Sequence, residues 1–192
     1  MFLYHYFSKS IGPFRNLSDL PINNAKNILK QFQKNNPSSQ PASRPIDYID
    51  RRINFENILK NKFIEIGGKP ERNYPQYMIV EHYEWFMTWY EDTCFIKIPV
   101  EEFEIDTISF TYGDSHPTFD PGVNDGKEYR KKLYKYNEII KIIEKYDLPQ
   151  KWNPDWKLGP ETYVEVQIWS DKVINKYRKI YNKNNNVRHN CT

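Results

Sequence analysis

Cysteine is nearly absent from this chain. Cys94 and Cys191 are its only two, too few for a disulfide framework or a thiolate metal site. Glycine is also sparse, seven residues in all, and none belongs to a phosphate-cradling Gly-rich loop. There is no His-Glu-x-x-His pair and no Gly-x-Ser-x-Gly elbow. The histidines, His5, His82, His116 and His189, are scattered; only His82 beside Glu81 and Glu84 offers a grouping to test, and no metal is expected. No apolar run reaches the roughly 18 residues a membrane helix needs. The apolar stretch from Phe2 to Phe7 is interrupted by His5 and ends at Ser8-Lys9, too short for a signal-peptide core. The expectation is a cytoplasmic protein in a reducing compartment, with no membrane partner.

Charge of one sign is lacking too. Lys+Arg number 28 against Asp+Glu 25, and the basic residues are interspersed with acids, so no general nucleic-acid grip is demanded. Lys131, Lys132, Lys135, Arg178 and Lys179 fit solvated helix faces as well as a basic patch. Aromatic residues, by contrast, make up 16% of the chain, which excludes a disordered protein and suits a packed core, a stacking pocket or a partner surface. A chain of 192 residues closes one core and has little left for a second.

The pattern along the chain predicts an α+β fold, a single domain with a mixed or antiparallel central sheet flanked by helices. Phe2 to Phe7 reads as a strand with Leu3, His5 and Phe7 on one face. A helix capped by Asn16 or Ser18 carries Ile22, Ala25, Leu29 and Phe32 and ends near Asn35. After the Pro/Ser-rich loop 35–45, a second helix from Ile46 runs to the Gly67-Gly68 stop, with Arg51 and Arg52 in its early turns. Strands follow at 77–80 and 94–100 with a short helix over 85–90 between them, and then at 107–112. The last of these runs into the loop 113–122. Asn137 is predicted to cap a helix, 163–169 to form the closing strand, and Asp171 to open a last helix. The domain is expected to span 1–181, with 182–192 a disordered polar tail.

The closing strand carries the strongest functional pattern. Val164, Val166 and Ile168 alternate with Tyr163, Glu165, Gln167 and Trp169, so a carboxylate and an amide lie between two aromatic rings on one face. Such a face can hold a sugar hydroxyl pair and stack a planar base. It can equally look at water, as one face of many antiparallel sheets does. His5, on an apolar strand face, is of a kind more often bonded to a neighbouring carbonyl in the core than catalytic.

Two resemblances bear on this pattern. Through FLYHYFSKSIGPFRNLSDLP, FIEIGGKP, FIKIPVEEF, ISFTYGD and YVEVQIWSD, the chain resembles an uncharacterised family from low-GC Gram-positive bacteria and their phages. More loosely, LYHY and YVEVQIWSDKVI resemble the opening His-bearing and closing Glu-bearing strands of ADP-ribosyltransferase-like folds. FIKIPVEEFEIDTISFTYGD is similar to the middle part of their DNA-modifying toxin branch. This second resemblance implies an NAD-dependent transferase, or an NAD glycohydrolase, that cleaves the nicotinamide–ribose bond and has a nucleic-acid, nucleotide or protein acceptor. It implies Glu165 and His5 as catalytic residues. Tyr112 would stack on nicotinamide, Arg51 or Arg52 would reach the pyrophosphate, and Tyr6, Thr111 and Gln167 would be further cofactor contacts. The arginine-modifying branches carry Gln or Glu two residues before the catalytic Glu; Tyr163 stands there in this chain, so the resemblance does not extend to protein-arginine modification. The alternative is a non-catalytic binding or immunity-type module that exposes Trp85, Trp89, Trp152 or Trp156 in a contiguous apolar patch.

Overall fold

Alternating and β-branched runs in the sequence become, among the described residues, five strands, all paired antiparallel. The computed structural model describes residues 1–37 and 39–185. β1 spans Phe2–Ser8, β2 Gln76–Val80, β3 Thr93–Pro99, β4 Ile108–Tyr112 and β5 Val164–Ile168, in the spatial order β3-β1-β2-β5-β4. The helices are α1 Ile22–Asn35, α2 Tyr48–Glu65, α3 Ser115–Phe119, α4 Tyr136–Tyr146, α5 Pro149–Trp152 and α6 Asp171–Asn185.

The sheet is covered on both sides. On one face Leu3, Phe110, Val164, Val166 and Ile168 pack with Ile139 of α4 and with Val173 and Ile174 of α6. The three β5 side chains in this layer are fully buried, each worth about 2 kcal/mol of apolar burial. On the other face Leu59 and Phe63 of α2 meet Trp169, whose indole stacks 5.8 Å from the Phe63 ring. α1 lies outside α2, joined through Ala25, Leu29 and Ile49. Gly67 takes φ +79° just past α2, as a left-handed stop requires. At Gly68 a Cβ would lie 2.3 Å from the Phe63 ring, so the chain passes that ring only without a side chain.

Several boundaries shift from the sequence expectation. Asn16 caps only a short 3-10 turn, Leu17–Asp19, and α1 begins after Pro21. Residues 84–88 form a 3-10 turn in place of an α-helix. The loop after β4 contains α3, capped by Asp114. α4 starts at Tyr136, where the Lys135 N–H donates to Glu138 Oε2 at 2.8 Å. α6 continues through 182–185, so that part of the expected tail is helical. The remainder, with Cys191 and His189, lies outside the described residues; Cys94 is buried in β3. Among the described residues no helix is long and apolar enough to cross a membrane.

Candidate functional site

In an antiparallel sheet, directly opposed residues project to the same face and neighbours along a strand to opposite faces. Tyr4 opposes Ile79, Ile79 opposes Glu165, and Thr111 opposes Glu165. Glu165 therefore shares a face with Tyr4, Tyr6, Thr111, Gln167 and Trp169, the face under α2. His5 and Tyr112 project to the opposite face. The expected meeting of His5 and Glu165 in one cleft does not occur.

Both ring nitrogens of His5 are engaged where it sits. Nε2 accepts the Phe14 N–H at 2.8 Å and Nδ1–H donates to the Tyr77 carbonyl at 3.0 Å. The ring is stacked 4.2 Å from Phe14, a bulky residue held at φ +56°, outside the ordinary range for its type. Burial, opposed by the Tyr77 hydrogen bond and aided by Arg178, lowers the His5 pKa to about 4, so the neutral ring both donates and accepts. This is the core histidine that composition favours. His5→Phe keeps the ring but strands two backbone groups, and we expect a loss of about 2 kcal/mol in urea unfolding at neutral pH.

Tyr112 is spent in the other core: its hydroxyl donates to the Asp147 carbonyl at 2.6 Å and accepts from the Trp152 indole at 3.2 Å. It is not a wall of the Glu165 site. Tyr6 is on the correct face, but two strands away. Its hydroxyl accepts the Tyr83 N–H at 2.9 Å and bonds His82 Nδ1 at 2.8 Å. His82 turns its other nitrogen to Glu84 Oε2 at 3.0 Å, and no metal-binding group of three ligands exists among the described residues.

The polar face of β5 does not look at water. Glu165 is 7% exposed and Gln167 fully buried, and a directional chain of hydrogen bonds runs between them. The Trp169 indole can only donate, and gives its N–H to Ser109 Oγ at 2.8 Å. Ser109 must then donate onward to Gln167 Oε1, 2.8 Å away. This fixes the amide orientation, so Gln167 Nε2 donates to Glu165 Oε1 at 2.9 Å and to Thr111 Oγ1 at 3.2 Å. Thr111 passes its own proton to the Gly113 carbonyl at 2.9 Å. Gln167 thus holds Glu165 and Thr111 braces Gln167, and both are fully buried; neither has a group left for a cofactor.

Asp114 and Ser115, which the sequence offers only as part of a polar loop, complete the site. Asp114 Oδ1 accepts the His116 N–H at 2.7 Å and its Oδ2 accepts the Tyr163 hydroxyl at 2.7 Å. Burial and then the nearby Asp114 carboxylate raise the Glu165 pKa to about 8, outweighing hydrogen bonds from Ser115 and Gln167 and the charge of Arg52. Burial likewise pushes Tyr163 and Tyr77 well above the usual phenol range, aided in turn by Asp114 and by Glu56. Near neutral pH, burial and the carboxylate beside it therefore favour the neutral form of Glu165.

The two arginines separate. Arg52 turns inward: it bonds Ser18 Oγ, Glu56 Oε1, the Tyr48 hydroxyl and Asn16 Oδ1, all within 3.0 Å, and lies 4.8 Å over the Tyr77 ring. Glu56 also accepts the Tyr77 hydroxyl at 3.1 Å. Arg52 is a brace for the tyrosine wall. Arg51 is exposed and donates to His116 Nε2 at 2.6 Å, next to Asp114 and Ser115 in the chain. Of the predicted cofactor contacts it alone keeps free donors at the rim.

With this geometry in place, comparison with protein-family models, curated proteins and solved structures finds no match. The chemistry of the chain therefore rests on its own residues.

Proposed function

We propose that the protein is a nucleotide-processing enzyme that cleaves an N-glycosidic bond at the Glu165 face, with Glu165 the reacting carboxyl group and His5 outside the site. One observation carries this reading: a buried acid with a pKa of about 8, held by a one-way hydrogen-bond chain and edged by tyrosines. Perturbed acids of this kind concentrate at functional sites. That the ligand is a nicotinamide dinucleotide rests on the resemblance of the first and last strands to ADP-ribosyltransferase-like folds.

The chemistry is consistent with such a ligand. When the ribose–nicotinamide bond breaks, its electron pair goes to the pyridinium nitrogen and positive charge develops on the sugar. A carboxylate fixed in a water-poor site offsets that charge. Water or an acceptor hydroxyl or amine then closes the sugar carbon and gives up a proton. A cationic pyridinium favours the ionised form of Glu165, so binding near neutral pH expels the acid proton.

Calorimetry of NAD binding in two buffers of different ionisation enthalpy is the decisive measurement. We expect close to one proton released per ligand at pH 7, affinity rising about tenfold per pH unit below the Glu165 pKa, and nicotinamide release that Glu165→Gln reduces at least about a hundredfold. Absence of both binding and release at pH 8 would refute the proposal.

A second reading has one observation of its own. Trp85 lies 4.7 Å from Trp156 and 5.2 Å from Trp89, and Trp156 is 40% exposed at φ +68°. Trp152 belongs elsewhere, at Tyr112. Such a cluster suits a binding or immunity-type module that holds a protein partner. A Trp156→Ala variant that loses a native-host partner, in protein that neither binds nor cleaves NAD, would favour it.

A further inference from the structure

Away from Glu165, where the loop after β1 meets α6, Ile11, Gly12, Pro13, Arg15, Arg178 and Asn182 line a small cavity of roughly 200 Å³. At about 30 Å³ per water, it admits a solvated tetrahedral oxyanion. Its lining contains two guanidinium groups and a side-chain amide, and no acid.

The cations here outnumber the acids, Arg15, Arg72 and Arg178 standing against Asp19 and Asp171. No carboxylate among the described residues forms an ion pair with Arg15 or Arg178, while the neighbouring acids Asp19 and Asp171 are both taken by Arg72. Arg178 donates to the Phe14 carbonyl and, at 3.2 Å, to Asn175 Oδ1. A guanidinium carries five N–H donors, so most of its fork remains open. Burial, and then Arg72 and Arg15, hold the Arg178 pKa below its usual value against the pull of Asp171 and Asp19. Crowded cations in a partly enclosed recess are offset by an anion, and planar guanidinium forks match phosphate oxygens in pairs.

We propose that Arg15 and Arg178 form a binding site for the phosphate group of a phosphorylated small molecule, separate from the Glu165 site. Ile11, 46% exposed at the rim, would pack against the organic part of that molecule. Because the two cations match a dianion, affinity for a phosphate ester rises as the pH passes its second pKa, about 6.

The test uses the full chain at constant ionic strength, with inorganic phosphate as probe and the arginine Nε–H signals of the NMR spectrum as readout. We expect saturable shifts at two arginines in the millimolar range, tighter at pH 7.5 than at pH 5.5. Arg15→Gln should weaken binding about tenfold, the loss of one charge-assisted contact. Arg15 is exposed, so its replacement leaves the fold intact; Arg178→Gln, checked for folding by circular dichroism, should act in the same direction. Phosphate shifts that do not saturate, that survive Arg15→Gln, or that acetate reproduces at equal concentration would overturn the proposal.

Discussion

Glu165→Gln is expected to match the wild-type protein in stability below pH 4.5 and to exceed it by about 5 kcal/mol above pH 8. The sign follows from proton linkage. The folded protein holds the Glu165 proton up to a pKa of about 8, whereas the unfolded chain releases it near the ordinary value of 4.5. The stabilisation is complete below 4.5 and is lost as pH rises through that window, at about 1.4 kcal/mol per pH unit. Gln keeps an oxygen for the Gln167 amide and an N–H in place of the acid proton, and it never ionises. His5 works in the opposite direction. Its folded pKa of about 4 against 6.5 unfolded gives stability that is complete above 6.5 and is lost as pH falls toward 4. The two slopes oppose each other between 4.5 and 6.5, so the wild-type protein should be flat there and weaken from 6.5 to 8. Urea titrations across pH measure both effects. A Glu165→Gln profile parallel to that of the wild type would show that Glu165 titrates normally.

Arg130→Met should cost about 3 kcal/mol, by a different mechanism. Glu161 is fully buried and Arg130 is 8% exposed. Arg130 Nη2 donates to Glu161 Oε1, and its Nε and Nη2 also hold Asp125, at 3.1 and 2.6 Å. Lys127 reaches Glu161 Oε2 at 2.8 Å. Removing one partner of a buried pair leaves a carboxylate in a poor medium, which commonly costs about 3–5 kcal/mol; Lys127 keeps this case at the low end. In the double variant Arg130→Met/Glu161→Met no buried charge is stranded, so much of the loss should return. Thermal or urea unfolding of the four-member cycle measures the coupling. The cluster also backs the functional loop. A Cβ at Gly113, which sits at φ +110°, would come 3.3 Å from Glu161 Cγ, and Asp114 is the next residue. Arg130→Met should therefore also lower the Glu165 pKa by letting Asp114 move away. An unchanged Glu165 titration in a folded Arg130→Met protein would separate the clamp from the site.

The reach of the sequence is clearest at β5. Its alternation is a local property, and period 2 alone placed Glu165 and Gln167 opposite Val164, Val166 and Ile168. The same holds for Leu3, His5 and Phe7 in β1, and for α2 with its Gly67 stop. Whether the polar side of β5 met water was not local, because that depended on α2 bringing Phe63 onto Trp169 from far along the chain. The neutral state of Glu165 was likewise hidden, since Asp114 comes close only when the loop after β4 folds against β5.

The relation between His5 and Glu165 shows the boundary most sharply. Each strand carries its own alternation in its sequence, but the phase of one strand against another is set by hydrogen-bond register. One step of register exchanges the two faces of a strand. Here Tyr4, and not His5, lies in line with Ile79 and Glu165, so two residues that look like partners in the sequence occupy opposite sides of one sheet. Composition and periodicity were enough for an α+β domain with helices over a sheet. The burial, protonation and companions of Glu165 were decided by contacts between residues such as Ser109, Asp114 and Gln167, whose meeting no local pattern encodes.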